Sequence, residues 1–169
     1  MDTATIRRAP AGGYSPSMGI EEQIADAGKL TSVFGCWPTF HDAEVRWICL
    51  RRDPLAGGAG PEVETLIHTF EITREVGPGG YLVLRDHVLV HLRFHECGRV
   101  SLEGFNHQNA LLELEIHDVR DRQLKDTNLS VQFVAAHGIE AHIECRALEC
   151  VSVTPCDEEG NPKASSTES

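Results

Sequence analysis

Aromatic rings and positive charge are both scarce in this sequence. Phe, Trp and Tyr make up 6% of the 169 residues, and 15 Lys and Arg stand against 26 Asp and Glu, a formal net charge of −11. Gripping a phosphate backbone takes clustered Lys and Arg, so the balance argues against nucleic acid as a direct partner. An acidic surface of this kind instead favours encounter with a basic protein, or simply keeps the chain soluble. No run approaches the roughly 18 apolar residues of a membrane-spanning helix, so no membrane partner is expected. After Arg7 and Arg8 the opening MDTATIRRAPAGGYSPSMG has no apolar stretch, so no secretory leader is read and a cytoplasmic protein is expected. The six cysteines (Cys36, Cys49, Cys97, Cys145, Cys150 and Cys156) include no C-x-x-C pair, which speaks against a zinc knuckle and for reduced thiols. There is no G-x-S-x-G, no P-loop, no dinucleotide glycine motif and no conspicuous carboxylate pair. No catalytic residue and no cofactor is therefore expected.

What is present is mostly period two. Residues 1–18, rich in Ala, Gly, Pro and Ser, are expected to form a flexible lead-in. Ile20, Ile24, Ala27, Leu30 and Phe34 then recur at spacings of three and four, which predicts one short amphipathic helix over Ile20 to Val33. Gly35 supplies a left-handed cap and Pro38 forbids continuation. Beyond Pro38 the apolar residues alternate. In HVLVHLRFHEC, Val88, Val90, Leu92 and Phe94 oppose His87, His91, Arg93 and His95; in ALLELEIHDV, Ala110, Leu112, Leu114 and Ile116 share a face. LSVQFVAA, the His137-Gly138 pair and IEAHIECRALECVSVTP read as a hairpin whose second arm is long enough to cross between sheets. About seven strands separated by breaker-rich turns predict a mainly β fold, an antiparallel β-sandwich or partly open barrel with one short N-terminal helix. Residues 19–154 form the single β-rich domain, and residues 155–169 an acidic tail expected to be disordered.

Three constellations invite a chemical reading. His41-Asp42 has the form of a metal phosphohydrolase pair, but such ligands converge from helices, and this pair sits where a loop enters a strand. The simpler reading has Asp42 accepting backbone N–H groups and His41 resting against Trp37 or Phe40. His87, His91 and His95 would gather one zinc ion on a helix. On a strand the same spacing puts roughly 13 Å between the Cα atoms of one histidine and the next, beyond the reach of bonds of about 2 Å, so a solvated or partner-facing stripe is expected and no metal is assigned. EGFNHQN, Glu103 to Asn109, reads as a turn whose amides satisfy loop backbone, with a polar recognition loop as the alternative.

Two of these stretches belong to a larger pattern. FGCWPTFHDAEV, followed further along by VSLEGFNHQNALLELEI, resembles the immunity protein 50 family of bacterial polymorphic toxin systems. That family carries a W-P-S-F-H-D-A-E-V segment, with Thr39 standing here in place of Ser, and a later G-F-N-x-Q-N. The resemblance covers roughly Leu30 to Val153. It implies a small cytoplasmic protein that binds a cognate toxin domain and neutralises it by stoichiometric occlusion, its partner being that protein toxin. The signature falls on Trp37, Pro38, Phe40, His41 and Asp42, and on Gly104, Phe105, Asn106, Gln108 and Asn109. Such residues are expected to hold the fold, with Trp37 and its neighbours plugging the sheet end, while the partner-binding face and oligomeric state stay open. The competing functions are a metal-dependent hydrolase using His41 and Asp42, and a small-ligand-binding β-barrel.

Overall fold

The computed structural model describes residues 19–54 and 58–163. The lead-in expected over residues 1–18 lies outside them. Nine strands form two sheets: β1 (Ile24–Ala25), β2 (Glu44–Arg51), β3 (Glu62–Val76), β4 (Leu82–His95), β5 (Arg99–Glu103), β6 (Leu111–Asp118), β7 (Leu129–Ala135), β8 (Glu140–Cys145) and β9 (Ala147–Pro155). The first sheet runs β1-β9-β4-β3-β2 and the second β5-β8-β7-β6; neighbours are antiparallel except β1 with β9. The fold is thus mainly β and consistent with a sandwich, with no closed barrel.

Alternation decides which side chains meet between the sheets. Val88, Val90, Leu92 and Phe94 of β4 all point inward and are buried, as their spacing predicts. They meet Val131, Phe133 and Ile143 of the second sheet, with the Phe94 and Phe133 rings 6.1 Å apart. That packing fills the interior a ligand-holding barrel would have left open. β3 contributes Val63, Thr65, Ile67 and Thr69, and the Thr65 hydroxyl donates to the Trp47 carbonyl, so this core threonine carries no unmet polar group.

The chain changes sheets twice at one edge. Cys97 and Gly98 carry β4 into β5, and Arg146 carries β8 into β9; the Arg146 N–H donates to the His95 carbonyl and the Gly98 N–H to that of Glu144. The long arm after His137-Gly138 therefore does cross between sheets.

Three expectations need correction. The N-terminal helix is shorter than its stripe. Glu21–Gln23 make a single 3-10 turn, Ile24 and Ala25 pair in parallel with Leu148 and Glu149, and only Gly28–Phe34 is α-helical (α1). Asp26, at φ 58°, interrupts the spiral, because pairing with β9 satisfies Ile24 and Ala25 better than a helix turn would. The anchors Ile20, Ile24, Ala27 and Leu30 are nonetheless buried, and Gly35 caps α1 in the left-handed region. In β6 a register shift between Leu111 and Glu113 turns Leu111 and Leu114 inward and leaves Leu112 exposed, breaking the predicted face. Lastly, the acidic tail is ordered as far as Lys163. Cys156 is fully buried, its N–H donates to the His87 carbonyl, and the Asp157 carboxylate accepts the Glu159 and Asn161 N–H groups. A polar segment can order when its own side chains satisfy its backbone. Residues 164–169 lie outside the described part.

Candidate functional site

The two signature segments, far apart in sequence, form one corner of the sandwich. Residues 39–45 pair with residues 109–114: the Asp42 N–H donates to the Leu111 carbonyl, Leu111 to Ala43, Val45 to Asn109, and Leu114 to Thr39, all within 2.8–3.0 Å. The corner therefore ties the first sheet to the second at the edge opposite the two crossovers. Glu44 adds a side-chain bond, its carboxylate accepting the Asn109 N–H at 2.6 Å.

Each signature residue has a definite place in this corner. Phe40 is buried at φ +62°, and Trp37, half-buried, meets its ring edge-on at 5.8 Å. Pro38 lies beside them along a shallow groove with Phe34 and Ile72. His41 and Asp42 are half exposed, with Nδ1 of one 3.1 Å from the other's carboxylate. Asp42 thus uses its backbone N–H rather than its carboxylate to join the corner, contrary to the expected cap. Asn106 and Asn109 close their loop reciprocally: the Asn106 N–H donates to the Asn109 amide oxygen, and the Asn109 amide returns the bond to the Asn106 carbonyl. The Asn106 side chain also donates to the Gly104 carbonyl and accepts the Gln108 N–H. Phe105 is exposed. Gly104 and Gly138 let this loop touch the β7–β8 turn. A Cβ on Gly138 would sit 2.1 Å from the Gln108 carbonyl, and one on Gly104 would sit 2.3 Å from that of Gly138. The second Trp is not part of the corner. Trp47 stands on the outer face of the first sheet, its ring 5.3 Å from that of His91.

That outer face is ionic. The histidine stripe, expected to be solvated or partner-facing, is half-buried among carboxylates and rings, which corrects the solvated alternative. His95 lies 3.2 Å from Glu62 and 2.9 Å from Glu149, and His91 lies 3.4 Å from Glu64. Arg93 donates to Glu64 at 2.9 Å, with Arg51 also near. Burial alone would raise the Glu64 pKa, but the Arg93 bond and the charges of Arg93, His91 and Arg51 outweigh it and leave the carboxyl below its ordinary range. Residues Glu62 and Glu64 escaped the sequence reading, although they alternate with Val63 and Thr65 as their partners do with Leu92 and Phe94. Without the β3–β4 register nothing showed that Glu64 faces Arg93.

At the far end of the stripe His87 Nδ1 and His68 Nε2 are 3.1 Å apart, with Phe70 against both rings. Gly160 of the folded-back tail packs on His68. Burial, then the neighbouring His87 and Arg46, lowers the His68 pKa. Among the described residues no three His, Cys, Asp or Glu side chains gather as a metal site would require.

The outer face of the second sheet is acidic. Its strand register aligns Arg99 with Glu144, Ser101 with His142, and Glu103 with Glu140, and continues through Ser130 and Gln132 to His117 and Glu115. Two glutamates, Glu103 and Glu140, stand directly opposite one another, an arrangement that costs stability unless a cation approaches.

The immunity protein 50 family model matches residues 26–156, and the chain belongs to that family. No curated protein and no solved structure matches it.

Proposed function

We propose that this protein binds a bacterial toxin domain in the cytoplasm of the producing cell and neutralises it by one-to-one occlusion. The observation that carries this reading is family membership across residues 26–156. Two features support it. The net charge of −11 and the acidic outer face of the second sheet suit a basic partner, whose approach they accelerate. The signature residues Trp37, Phe40, Asn106 and Asn109 are occupied with their own corner, so they act as scaffold, with partner recognition assigned to other surfaces. No helix of the described residues is long and apolar enough to cross a membrane.

The test is titration of the toxin domain encoded in the neighbouring reading frame. Activity should fall linearly and reach zero at one equivalent, and association should slow as ionic strength rises. Inactivation by a small fraction of an equivalent would mean turnover, and would replace occlusion with catalysis.

A further inference from the structure

β3 and β4 outlast their neighbours. The last β2 partner on β3 is His68, and the last β9 partner on β4 is Val88. Beyond these positions, past one further bond from the Cys156 N–H to the His87 carbonyl, the two strands continue paired only with each other as an arm to the turn at Gly77–Tyr81. Eleven large apolar side chains are exposed among the described residues, and five of them, Ile72, Val76, Tyr81, Leu82 and Leu84, lie within this arm. The register sets Ile72 opposite Leu84 and Val76 opposite Leu82, while Leu82 and Leu84 share a face of β4, so these four form one apolar surface. Tyr81 at the tip is 83% exposed. Monomeric proteins seldom leave so concentrated an apolar patch in water without using it.

The arm is also braced across its two strands. The Thr73 hydroxyl donates to the Val83 carbonyl at 2.7 Å, Arg85 pairs with Glu75, and the Gly77 N–H donates to the Tyr81 carbonyl at 2.8 Å. Little ordering entropy would be lost on docking. Its charge is acidic on balance: Glu71, Glu75 and Asp86 outnumber Arg74 and Arg85 within the arm, and Glu158 of the folded-back tail lines a groove with Phe70, Tyr81, Leu84 and His87. A second copy of the chain would bring this acidic rim against its own like, which disfavours self-association through the arm.

We propose that the β3–β4 arm is the element that grips the toxin, entering a concave apolar site whose rim is basic. The assignment rests on the neutralisation reading above and deepens it by naming the surface. The experiment uses the full chain and the purified toxin domain of the neighbouring reading frame, catalytically inactivated, with binding measured by calorimetry and self-association by sedimentation. Leu84→Ser and Tyr81→Ala should each keep the wild-type unfolding midpoint and weaken binding about 30-fold or more. Glu103→Gln/Glu140→Gln, on the second sheet, should change affinity less than either. Tyr81 projects furthest into solvent, so its truncation tests the arm even if Leu84→Ser disturbs the fold. Wild-type affinity in both arm variants overturns the arm while leaving neutralisation intact. A wild-type dimer dispersed by the arm variants makes a second copy the occupant and overturns it as well. Failure of the wild-type chain to bind the toxin domain at all removes the neutralisation reading and the arm assignment together.

Discussion

Replacing Gly138 by Ala tests whether the signature corner is held by backbone contact. Gly138 sits at φ +76°, and an added Cβ would lie 2.1 Å from the Gln108 carbonyl and 2.8 Å from the Asn109 amide oxygen. The left-handed backbone costs a residue with a Cβ about 1–2 kcal/mol. Relieving the overlap must push the Gly104–Asn109 loop away, and backbone cannot swing aside as a side-chain tip can. Two or so of the loop's hydrogen bonds then weaken, at about 1 kcal/mol each. The expected loss is about 3–4 kcal/mol, read as a lower midpoint in urea, or a fall in Tm of roughly 6–16 °C. Gly35→Ala is the control. It shares the backbone conformation, φ +77°, but nothing lies within 4 Å of its would-be Cβ. It should cost only the conformational part, about 1–2 kcal/mol. If Gly138→Ala destabilises no more than Gly35→Ala, close contact between the Gly104–Asn109 loop and the β7–β8 turn contributes nothing to the stability of the corner.

Other predictions follow from the core, the thiols and the tail. Phe40→Ala removes a fully buried ring and should cost about 3–5 kcal/mol by chemical denaturation, whereas Trp47→Ala, on the outer face, should cost less. Only Cys36 is exposed, and burial pushes the thiols of Cys97 and Cys150 up to about 11 and that of Cys145 up to about 12. A thiol reagent at pH 8 should therefore modify Cys36 quickly, half-buried Cys49 slowly, and all six only after unfolding. Because folding lowers the His68 pKa, the unfolded chain takes up more protons just below pH 6.5. That contribution to stability is complete above the ordinary histidine value and is lost as pH falls toward the folded one, with a slope of at most about 1.4 kcal/mol per pH unit. Denaturation midpoints measured from pH 7.5 to pH 5 should fall for the wild type and fall less for His68→Gln.

The sequence was readable where one local rule dominates. Strict alternation in β4 sufficed to assign its inward residues, and Gly35 announced a left-handed cap. It was misleading where pairing partners override local pattern. The spacing of Ile20, Ile24 and Ala27 suits a helix, yet Ile24 is taken by β9, more than a hundred residues away in the chain. The Leu112 bulge and the Glu64–Arg93 pair depend on register, which no single strand encodes. In the candidate site, the turn character of Asn106 and Asn109 was evident from their residue types. Their union with residues 39–45 was not, since nothing local says which distant segment a loop will meet. The arm escaped notice because its apolar alternation is that of any buried strand; only the shorter reach of β2 and β9 leaves it uncovered.

The position of β9 has a consequence for biosynthesis. Of the nine strands described it leaves the ribosome last, yet it lies inside the first sheet, between β1 and β4. Until it arrives, β4 offers a bare hydrogen-bonding edge and β1 has no partner. A chain cut short before β9 therefore lacks an interior strand of the first sheet rather than a dispensable fringe, and leaves both β1 and one edge of β4 unpaired.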